Sequence, residues 1–293
     1  MTARALGATG LSVSALGLGC GPLGAPGLDD AAAARVVHAA LDHGVRVFDT
    51  APSYGASEER LARALGGHRR DATLVTKGGY GVPGVPDWTP ACVALGVERA
   101  LRVLCTNELD VFLLHSCDAE LLRRGDLVEP LVRAREAGKV RAVGYSGDGE
   151  ALSIALACGA FDVVECSVSV VDRAALTRLA GAPAGVLAKR PLANAAWARR
   201  DEREPRADVD EYARRVDALF APDDPPLGLP MDELFLRFAA HAPGVSCALV
   251  GTSRVDGVAR AAELAARGPL PPDTLASLDE RYRRRGEGFL GLV

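Results

Sequence analysis

The chain has 293 residues, 48% of them hydrophobic, and a formal net charge of −4. That length and apolar content suffice for one large domain or two ordinary ones. The lack of a basic stripe argues against nucleic-acid binding, and no window approaches the roughly 20 apolar residues of a membrane span. Seven scattered cysteines without a Cys-x-x-Cys pair are typical of reduced thiols. We therefore expect a cytoplasmic protein that binds neither nucleic acid nor membranes.

The chain begins with a predicted hairpin at residues 6–19, where glycines mark the turns. From residue 14 onward, short apolar runs typical of strands alternate with segments of helical periodicity. The predicted strands are 14–20, 45–50, 72–79, 109–116, 140–147, 161–168, 184–191 and 245–252. The predicted helices between and after them are 29–44, 57–67, 89–104, 127–139, 149–158, 172–180, 231–242 and 254–267.

A polar, proline-rich insert at 193–230 interrupts this alternation. It contains one helical segment near 208–220, and a last helix is predicted at 273–285. Eight strand–helix units in a chain of this length predict a closed (β/α)8 TIM barrel, here a single domain over residues 1–293. An open, doubly wound sheet is the alternative, but the early Gly-x-Gly in GLGCGPLG (17–24) is not followed by a helix in the register of that fold.

Three successive predicted strands end in an ionisable residue, namely Asp49, Lys77 and His115. Each shares a strand face with small or aliphatic residues, because side chains alternate along a strand. In a barrel these three would point inward at the C-terminal mouth, where the active sites of this fold lie. Tyr54, in the loop after the Asp49 strand, would hang over the same opening. Each residue alone is explained as a turn, surface or packing residue, whereas the aligned set predicts a functional site.

Six segments resemble motifs of the aldo-keto reductase superfamily, in the same order and over almost the whole chain. They are LGATGLSVSALGLGCGPLG (6–24), VFDTAPSYGASEERLARAL (47–65), LVTKGG (74–79), LDVFLLHS (109–116), VRAVGYSG (140–147) and LVGTSRVDGVARA (249–261). The resemblance implies that Asp49, Tyr54, Lys77 and His115 match the catalytic tetrad of that family. Tyr54 would then be the general acid, Lys77 would lower its pKa, Asp49 would hold Lys77, and His115 would hydrogen-bond the substrate oxygen.

The resemblance also implies a nicotinamide cofactor lying across the barrel mouth. The cofactor-binding residues that it implies are Gly19, Cys20, Ser146, Glu165, Lys189, Arg190, Gly251, Thr252, Ser253 and Arg254. Arg254, near a helix start, suits a 2′-phosphate and favours NADP over NAD, although NAD remains open.

Four positions in this region depart from the family pattern. The family usually has asparagine, glutamine, tyrosine and asparagine where this chain has Gly147, Glu165, Lys189 and Ala261. Lys189 could meet the cofactor pyrophosphate or pair with Glu165.

The expected activity is therefore NADPH-dependent reduction of an aldehyde, ketone or sugar carbonyl. Three alternatives remain open: the reverse reaction of a sugar or alcohol dehydrogenase, a cofactor-binding sensor or auxiliary subunit, and an unrelated barrel lyase or hydrolase that uses Asp49 and Lys77. We expect no metal site, because the five histidines show no ligand spacing. The oligomeric state and the physiological substrate are not predicted.

Overall fold

A computed structural model describes residues 2–198 and 207–292. The chain begins with an antiparallel hairpin of β1 (Ala3–Ala5) and β2 (Ser12–Ser14). Eight parallel strands then form a closed barrel in which the last strand pairs with the first. These strands are β3 (Leu16–Gly19), β4 (Val47–Asp49), β5 (Thr73–Gly78), β6 (Leu109–His115), β7 (Val140–Ser146), β8 (Val163–Ser167), β9 (Gly185–Lys189) and β10 (Cys247–Gly251). The predicted (β/α)8 barrel with an N-terminal hairpin is confirmed.

Helices surround the barrel, and several begin with a side-chain cap. The helices are α1 (Asp30–Asp42), α2 (Ser57–Leu65), α3 (Pro90–Val103), α4 (Ala119–Arg124), α5 (Val128–Glu136), α6 (Gly149–Ala157), α7 (Leu176–Leu179), α8 (Ala207–Leu219), α9 (Met231–Ala240), α10 (Val255–Ala266) and α11 (Pro272–Arg285). Asp29 caps α1 by accepting from the Ala32 amide at 2.6 Å, and Thr89 caps α3 by accepting from the Cys92 amide at 3.2 Å. Among the described residues, no helix is long and apolar enough to cross a membrane.

Two helix predictions need correction. The helix predicted at 172–180 is a single turn, α7, because residues 169–172 instead form a β-bridge in which Ser169 and Asp172 exchange backbone hydrogen bonds. The short helix α4, capped by Asp118, was not predicted.

The barrel interior is filled by aliphatic side chains that alternate with the outward residues of each strand. Hairpin residues close its lower end, and the cluster consists of Leu6, Leu11, Val13, Val47, Val75, Val111, Leu113, Ala142, Val163, Leu187, Cys247 and Leu249. Gly7, with a φ of 54°, brings the hairpin so close to β9 that a Cβ there would lie 2.3 Å from the Gly185 nitrogen. In β4, β5 and β6 the interior face is therefore the face on which an ionisable residue was predicted.

Candidate active site

The four predicted catalytic residues lie at the C-terminal mouth of the barrel. Asp49 and His115 end β4 and β6, Lys77 is the penultimate residue of β5, and Tyr54 lies in the loop before α2. The backbone of Gly24 packs directly against this loop, since an added Cβ at Gly24 would lie 1.5 Å from the Tyr54 carbonyl oxygen. The backbone of Tyr54 is thus held at the rim.

Lys77 is the centre of the site. Its side chain is fully buried, and its ammonium donates to Asp49 Oδ1 and, at 3.2 Å, to the Thr50 carbonyl oxygen. The same Nζ lies 3.3 Å from Glu165 Oε2, which comes from β8 on the opposite side of the barrel. One ammonium therefore lies between two carboxylates, both almost completely buried.

The Tyr54 ring lies close to Lys77 and His115. The Lys77 nitrogen lies 5.2 Å from the centroid of the Tyr54 ring. The His115 ring meets the Tyr54 ring edge to face, with centroids 5.9 Å apart and an interplanar angle of 88°. The structure therefore brings Asp49, Lys77, Tyr54 and His115 into one contiguous group, as the strand pattern predicted.

The protonation states follow from burial and from the two carboxylates. Lys77 lowers the pKa of Tyr54, but burial together with Asp49 and Glu165 outweighs it, so the Tyr54 pKa is raised above its ordinary value. Lys77 therefore lowers the pKa of Tyr54 as expected, but the net shift is upward because burial and then Asp49 and Glu165 oppose it. Burial lowers the pKa of Lys77, but the charges of Asp49 and Glu165 raise it by more than burial lowers it. The net pKa of Lys77 is therefore raised, and the ammonium stays charged.

The two carboxyls differ from each other. Burial and the neighbouring Glu165 raise the pKa of Asp49 well above its usual range. Burial opposes ionisation of Glu165 as well, but Lys77 and Lys189 lower its pKa. Burial and then Lys77 lower the pKa of His115 to about 3, so its imidazole is neutral at physiological pH.

Two of the four departures from the family pattern, Glu165 and Lys189, lie in strands β8 and β9. Ser146 Oγ donates to Glu165 Oε1 at 3.0 Å. Lys189 forms its ion pair with Asp148 at 2.9 Å, not with Glu165. Asp148 is held in turn by the amide and hydroxyl of Ser167, at 2.7 and 3.1 Å. Pairing of Lys189 with Glu165 is therefore not observed, although Lys189 still acts on Glu165 electrostatically.

The glycine at position 147 has a local structural reason. An added Cβ there would lie 2.2 Å from the hydroxyl oxygen of Tyr145. That hydroxyl is fixed because it donates to the Cys117 carbonyl oxygen at 2.8 Å. An asparagine at this position would have to displace the buried Tyr145 ring.

A cleft of about 270 Å³ adjoins the mouth between β9 and β10. It is lined by Pro22, Arg190, Pro191, Leu192, Asn194, Ala195, Leu249, Val250 and Gly251. Arg190 lines this cleft, while its guanidinium donates to the Leu292 carbonyl oxygen at 2.9 Å. Thr252, Ser253 and Arg254 connect Gly251 to the start of α10. The N-terminus of α10, which begins four residues beyond Gly251, suits the anionic part of a nucleotide cofactor.

The remaining predicted cofactor residues differ in accessibility. Arg254 is exposed and pairs with Asp256 at 3.0 Å. Cys20 is fully buried, and its amide donates to the Asp49 carbonyl oxygen at 2.7 Å. Gly19 pairs with Asp49 on one side and with Gly251 on the other. Contact of any of these residues with a cofactor remains a prediction.

Sequence reasoning missed Tyr80 and Asp148. Tyr80 lies three residues beyond Lys77, and its hydroxyl oxygen is 2.5 Å from His115 Nδ1. Its place just past a strand end at the barrel mouth resembles that of Tyr54, and this was a usable signal. In the described parts of the chain, no group of three or more His, Cys, Asp or Glu side chains is arranged to hold a metal ion.

Comparison with known proteins supports the fold and identifies the family. The model of the Aldo/keto reductase family matches residues 15–283. The aldo-keto reductase YhdN of Bacillus subtilis is 32% identical over 154 residues, which are 47% of this chain and 44% of that protein. The L-galactose dehydrogenase of Arabidopsis thaliana is 34% identical over 154 residues, 49% of this chain and 48% of that protein. The chain thus matches less than half the length of these two relatives.

Among solved structures, the holo form of the aldo-keto reductase AKR11C1 from Bacillus halodurans superposes with a TM-score of 0.78. The match is 24% identical and covers 96% of both chains, so it supports the fold. The family match extends from β3 into α11 and includes every strand of the barrel. The chain therefore belongs to the aldo/keto reductase family.

Proposed function

We propose that this oxidoreductase uses NADPH to reduce an aldehyde, ketone or sugar carbonyl to the alcohol, with Tyr54 as the general acid. The observation that carries the proposal is the buried Lys77 ammonium, held by Asp49 and lying 5.2 Å from the centroid of the Tyr54 ring, with His115 against the same ring. This arrangement offers a proton donor and a second hydrogen-bond donor at one opening. A carbonyl oxygen needs both when it becomes an alcohol.

The protonation of Tyr54 favours the reductive direction. A phenol whose pKa is raised keeps its proton at neutral pH but is a weaker acid, so the transfer depends on stabilisation of the phenolate that remains. The positive charge of Lys77 would stabilise the phenolate that remains after the transfer. Asp49 keeps that ammonium in place and charged. In the oxidative direction Tyr54 would first have to lose its proton, which the two carboxylates oppose.

His115 would act as a neutral donor. Its pKa of about 3 means that the imidazole carries one proton at physiological pH. A neutral N–H aimed at the substrate oxygen stabilises the developing negative charge without adding a competing acid. We assign it that role, with Tyr54 giving the proton to the oxygen.

The cofactor would be held along the β7–β10 side of the mouth. Ser146 and Glu165 offer a hydroxyl and a carboxylate to its carboxamide end, and Arg190 and the segment from Gly251 to Arg254 suit its phosphates. When bound, a nicotinamide cofactor supplies the hydride that carbonyl reduction requires. Because Arg254 is an exposed cation at the start of α10, we favour NADP over NAD.

A sugar is the substrate class that we favour. One relative is named L-galactose dehydrogenase and another, from Novosphingobium aromaticivorans, is named 6-dehydroglucose reductase. Both names describe redox chemistry on a sugar. We further propose that residues 1–293 form one cytoplasmic domain whose partner is this small molecule.

The test measures cofactor binding and turnover separately. NADPH and NADH are titrated by fluorescence, and NADPH consumption is then followed with an aromatic aldehyde and with a panel of aldehyde sugars. Tyr54→Phe should keep NADPH binding and lose about 10²- to 10⁴-fold in turnover, the usual contribution of a general acid. Tyr282→Phe, which changes a tyrosine of α11, is the matched control and should behave as wild type.

Other outcomes would overturn the proposal in distinct ways. Binding without turnover would favour a cofactor-binding sensor or auxiliary subunit. Faster alcohol oxidation than carbonyl reduction at neutral pH would favour a dehydrogenase. If the protein bound neither NADPH nor NADH, the proposed reaction would be wrong, whereas the family assignment would still hold.

A further inference from the structure

We propose that residues 289–292 form an inhibitory strap, which holds the guanidinium of Arg190 away from the cofactor phosphates until the strap is released. The inference rests on the proposed function, because it concerns access to the same cofactor site. It assigns a regulatory role to a segment beyond α11 that the proposed reaction does not use.

The strap reaches Arg190 through one backbone group. Arg190 Nη1 donates to the Leu292 carbonyl oxygen at 2.9 Å, and the Ser167 hydroxyl donates to the same oxygen at 3.4 Å. Among the described residues, the cleft between β9 and β10 is lined by Arg190 but not by Leu292. The Nη1 edge of the guanidinium is therefore directed at the strap and not into the cleft.

A phosphate would compete with the strap for this edge. Arginine binds phosphate most strongly through two parallel N–H groups. While Nη1 donates to Leu292, the guanidinium cannot offer both of its terminal nitrogens to a phosphate. The Arg190 backbone has a φ of 54°, and its carbonyl oxygen accepts from the Ala193 amide at 2.8 Å, so the side chain projects from a fixed position. Full engagement of a phosphate therefore requires that the contact with Leu292 be broken.

The strap is anchored on buried side chains by its backbone and by one ring. Arg215 Nη2 donates to the Leu290 carbonyl oxygen at 2.8 Å. The Leu292 amide donates to Asp172 Oδ2 at 3.3 Å. The Phe289 ring packs on the Arg215 guanidinium, whose carbon lies 4.9 Å from the ring centroid. Arg215 and Asp172 are buried, whereas Leu290 is 79% exposed. A segment with few buried contacts on a fixed base opens at a low free-energy cost.

The first readout is the exchange of the strap's amide hydrogens with solvent, measured on the full chain by mass spectrometry. Without ligand, the strap should be partly protected, because the Leu292 amide donates to Asp172. NADPH should speed this exchange, because binding releases the strap. Inorganic pyrophosphate offers phosphates without the rest of the cofactor, and it should have the same effect at a higher concentration.

The second readout is the affinity for NADPH, measured by fluorescence titration. Phe289→Ala removes the ring that packs on Arg215 and should increase the fraction of molecules with a released strap. The apparent dissociation constant is the intrinsic one divided by the competent fraction, so that of NADPH should fall about three- to tenfold. Leu290→Ala is the matched control, because it shortens an exposed side chain of the same segment, and it should change neither readout.

Arg190→Met tests whether the gain in affinity depends on the guanidinium. In a chain that carries Arg190→Met, the further change Phe289→Ala should leave the NADPH dissociation constant unchanged, because nothing remains for the strap to occupy. A chain that ends at Gly288 is the second variant without the strap. It decides the affinity readout if Phe289→Ala does not fold.

Three results would overturn the inference. They are unchanged exchange in the strap when NADPH is bound, an NADPH dissociation constant that does not fall without the Phe289 ring or the strap, and an equal fall in the Arg190→Met background. If NADPH does not bind at all, the proposed function fails, and pyrophosphate then decides the inference. Faster exchange with pyrophosphate would support the strap, whereas unchanged exchange would overturn it. The two failures are therefore distinguishable.

Discussion

The two halves of the barrel mouth differ in how they contribute to the site. The half formed by β4 to β6 carries Asp49, Lys77, His115 and the nearby Tyr54, all in the positions that strand alternation predicts. The half formed by β7 to β10 carries ionisable residues where the family usually has neutral ones. The first half carries the proposed catalytic residues, whereas Glu165 of the second half adds to the effects of burial and of Asp49 on their pKa values.

The two halves are coupled through one contact. Glu165 reaches across the barrel to within 3.3 Å of the Lys77 nitrogen and accepts a hydrogen bond from Ser146 on its own side. Its negative charge raises the pKa of Tyr54, a residue of the first half. A complete set of reacting residues therefore does not by itself define their protonation, which depends on the residues that face them.

Lys77→Met should have the largest effect, because it removes the ammonium that both halves share. Asp49 and Glu165 would be left buried without their counter-ion, which costs about 3–5 kcal/mol in the free energy of unfolding. Turnover should fall by about 10²-fold or more. Chemical denaturation and NADPH consumption measure the two effects.

The control for this change is Lys139→Met. Lys139 pairs with Glu98 on the surface, so its loss should cost less than about 1 kcal/mol. If Lys77→Met were as stable as this control, burial of Asp49 and Glu165 would not require the ammonium. The proposed coupling of the two halves through Lys77 would then be contradicted.

Glu165→Gln tests the coupling more selectively, because glutamine has nearly the same shape and no charge. The pKa of Tyr54 should fall, since one of the groups that raises it is gone. The alkaline limb of the reduction profile should move to lower pH. The ratio of alcohol oxidation to carbonyl reduction should rise on the order of tenfold, the scale of coupling between contacting charges.

Tyrosinate absorbance during a pH titration, with Tyr54→Phe subtracted, measures the pKa of Tyr54 directly. Asp148→Asn is the comparison variant, because it removes a carboxylate of the same half that does not contact Lys77. An equal shift in both variants would mean that overall charge, not the Glu165 contact, sets the protonation of Tyr54.

Asp172, which follows β8, should lower the free energy of unfolding as the pH rises. Burial raises its pKa to about 6, and its Oδ1 has no hydrogen-bond partner among the described residues. A carboxyl whose folded pKa is raised stabilises the fold fully below its unfolded pKa and loses that contribution as the pH rises through about 6. The free energy of unfolding should therefore fall by about 2–3 kcal/mol between pH 4 and pH 7 on account of this group.

Asp172→Asn should remove that part of the pH dependence, as measured by denaturation at a series of pH values. The amide keeps an oxygen that can accept from the Tyr212 hydroxyl, which Asp172 Oδ2 now does at 3.0 Å. An unchanged pH slope in the variant would show that Asp172 does not titrate in this range.

The sequence predicted the barrel and the first half of the mouth for a physical reason. Strand alternation and position at a strand end are local properties, and they placed Asp49, Lys77 and His115 on one inner face. The role of Glu165 could not be predicted in that way, because its contact with Lys77 joins strands on opposite sides of the closed barrel. The upward pKa shift of Tyr54 could not be predicted either, because it depends first on burial and then on the charges of Asp49 and Glu165.

The other omissions have similarly specific causes. Tyr80 reaches His115 from a loop in which Gly79 and Trp88 adopt positive φ values, a property of the folded loop that its sequence does not reveal. The helix predicted at 172–180 had a plausible composition, but Asp172 is used to hold the backbone amide of Leu292 at 3.3 Å. In both places a long-range contact overrides the local pattern.

Arg254→Ala should have the smallest effect and sharpens the comparison at its outer edge. The guanidinium is 74% exposed and already pairs with Asp256, so a contact with a 2′-phosphate would be worth about 1 kcal/mol. The NADPH dissociation constant should rise about fivefold, whereas that of NADH, which lacks the phosphate, should not change. Fluorescence titration measures both, with Arg283→Ala, an exposed arginine of α11, as the control. An equal loss of affinity for NADPH and NADH would mean that Arg254 contacts a part of the nucleotide that both cofactors share. The second half would then bind the cofactor without selecting NADP.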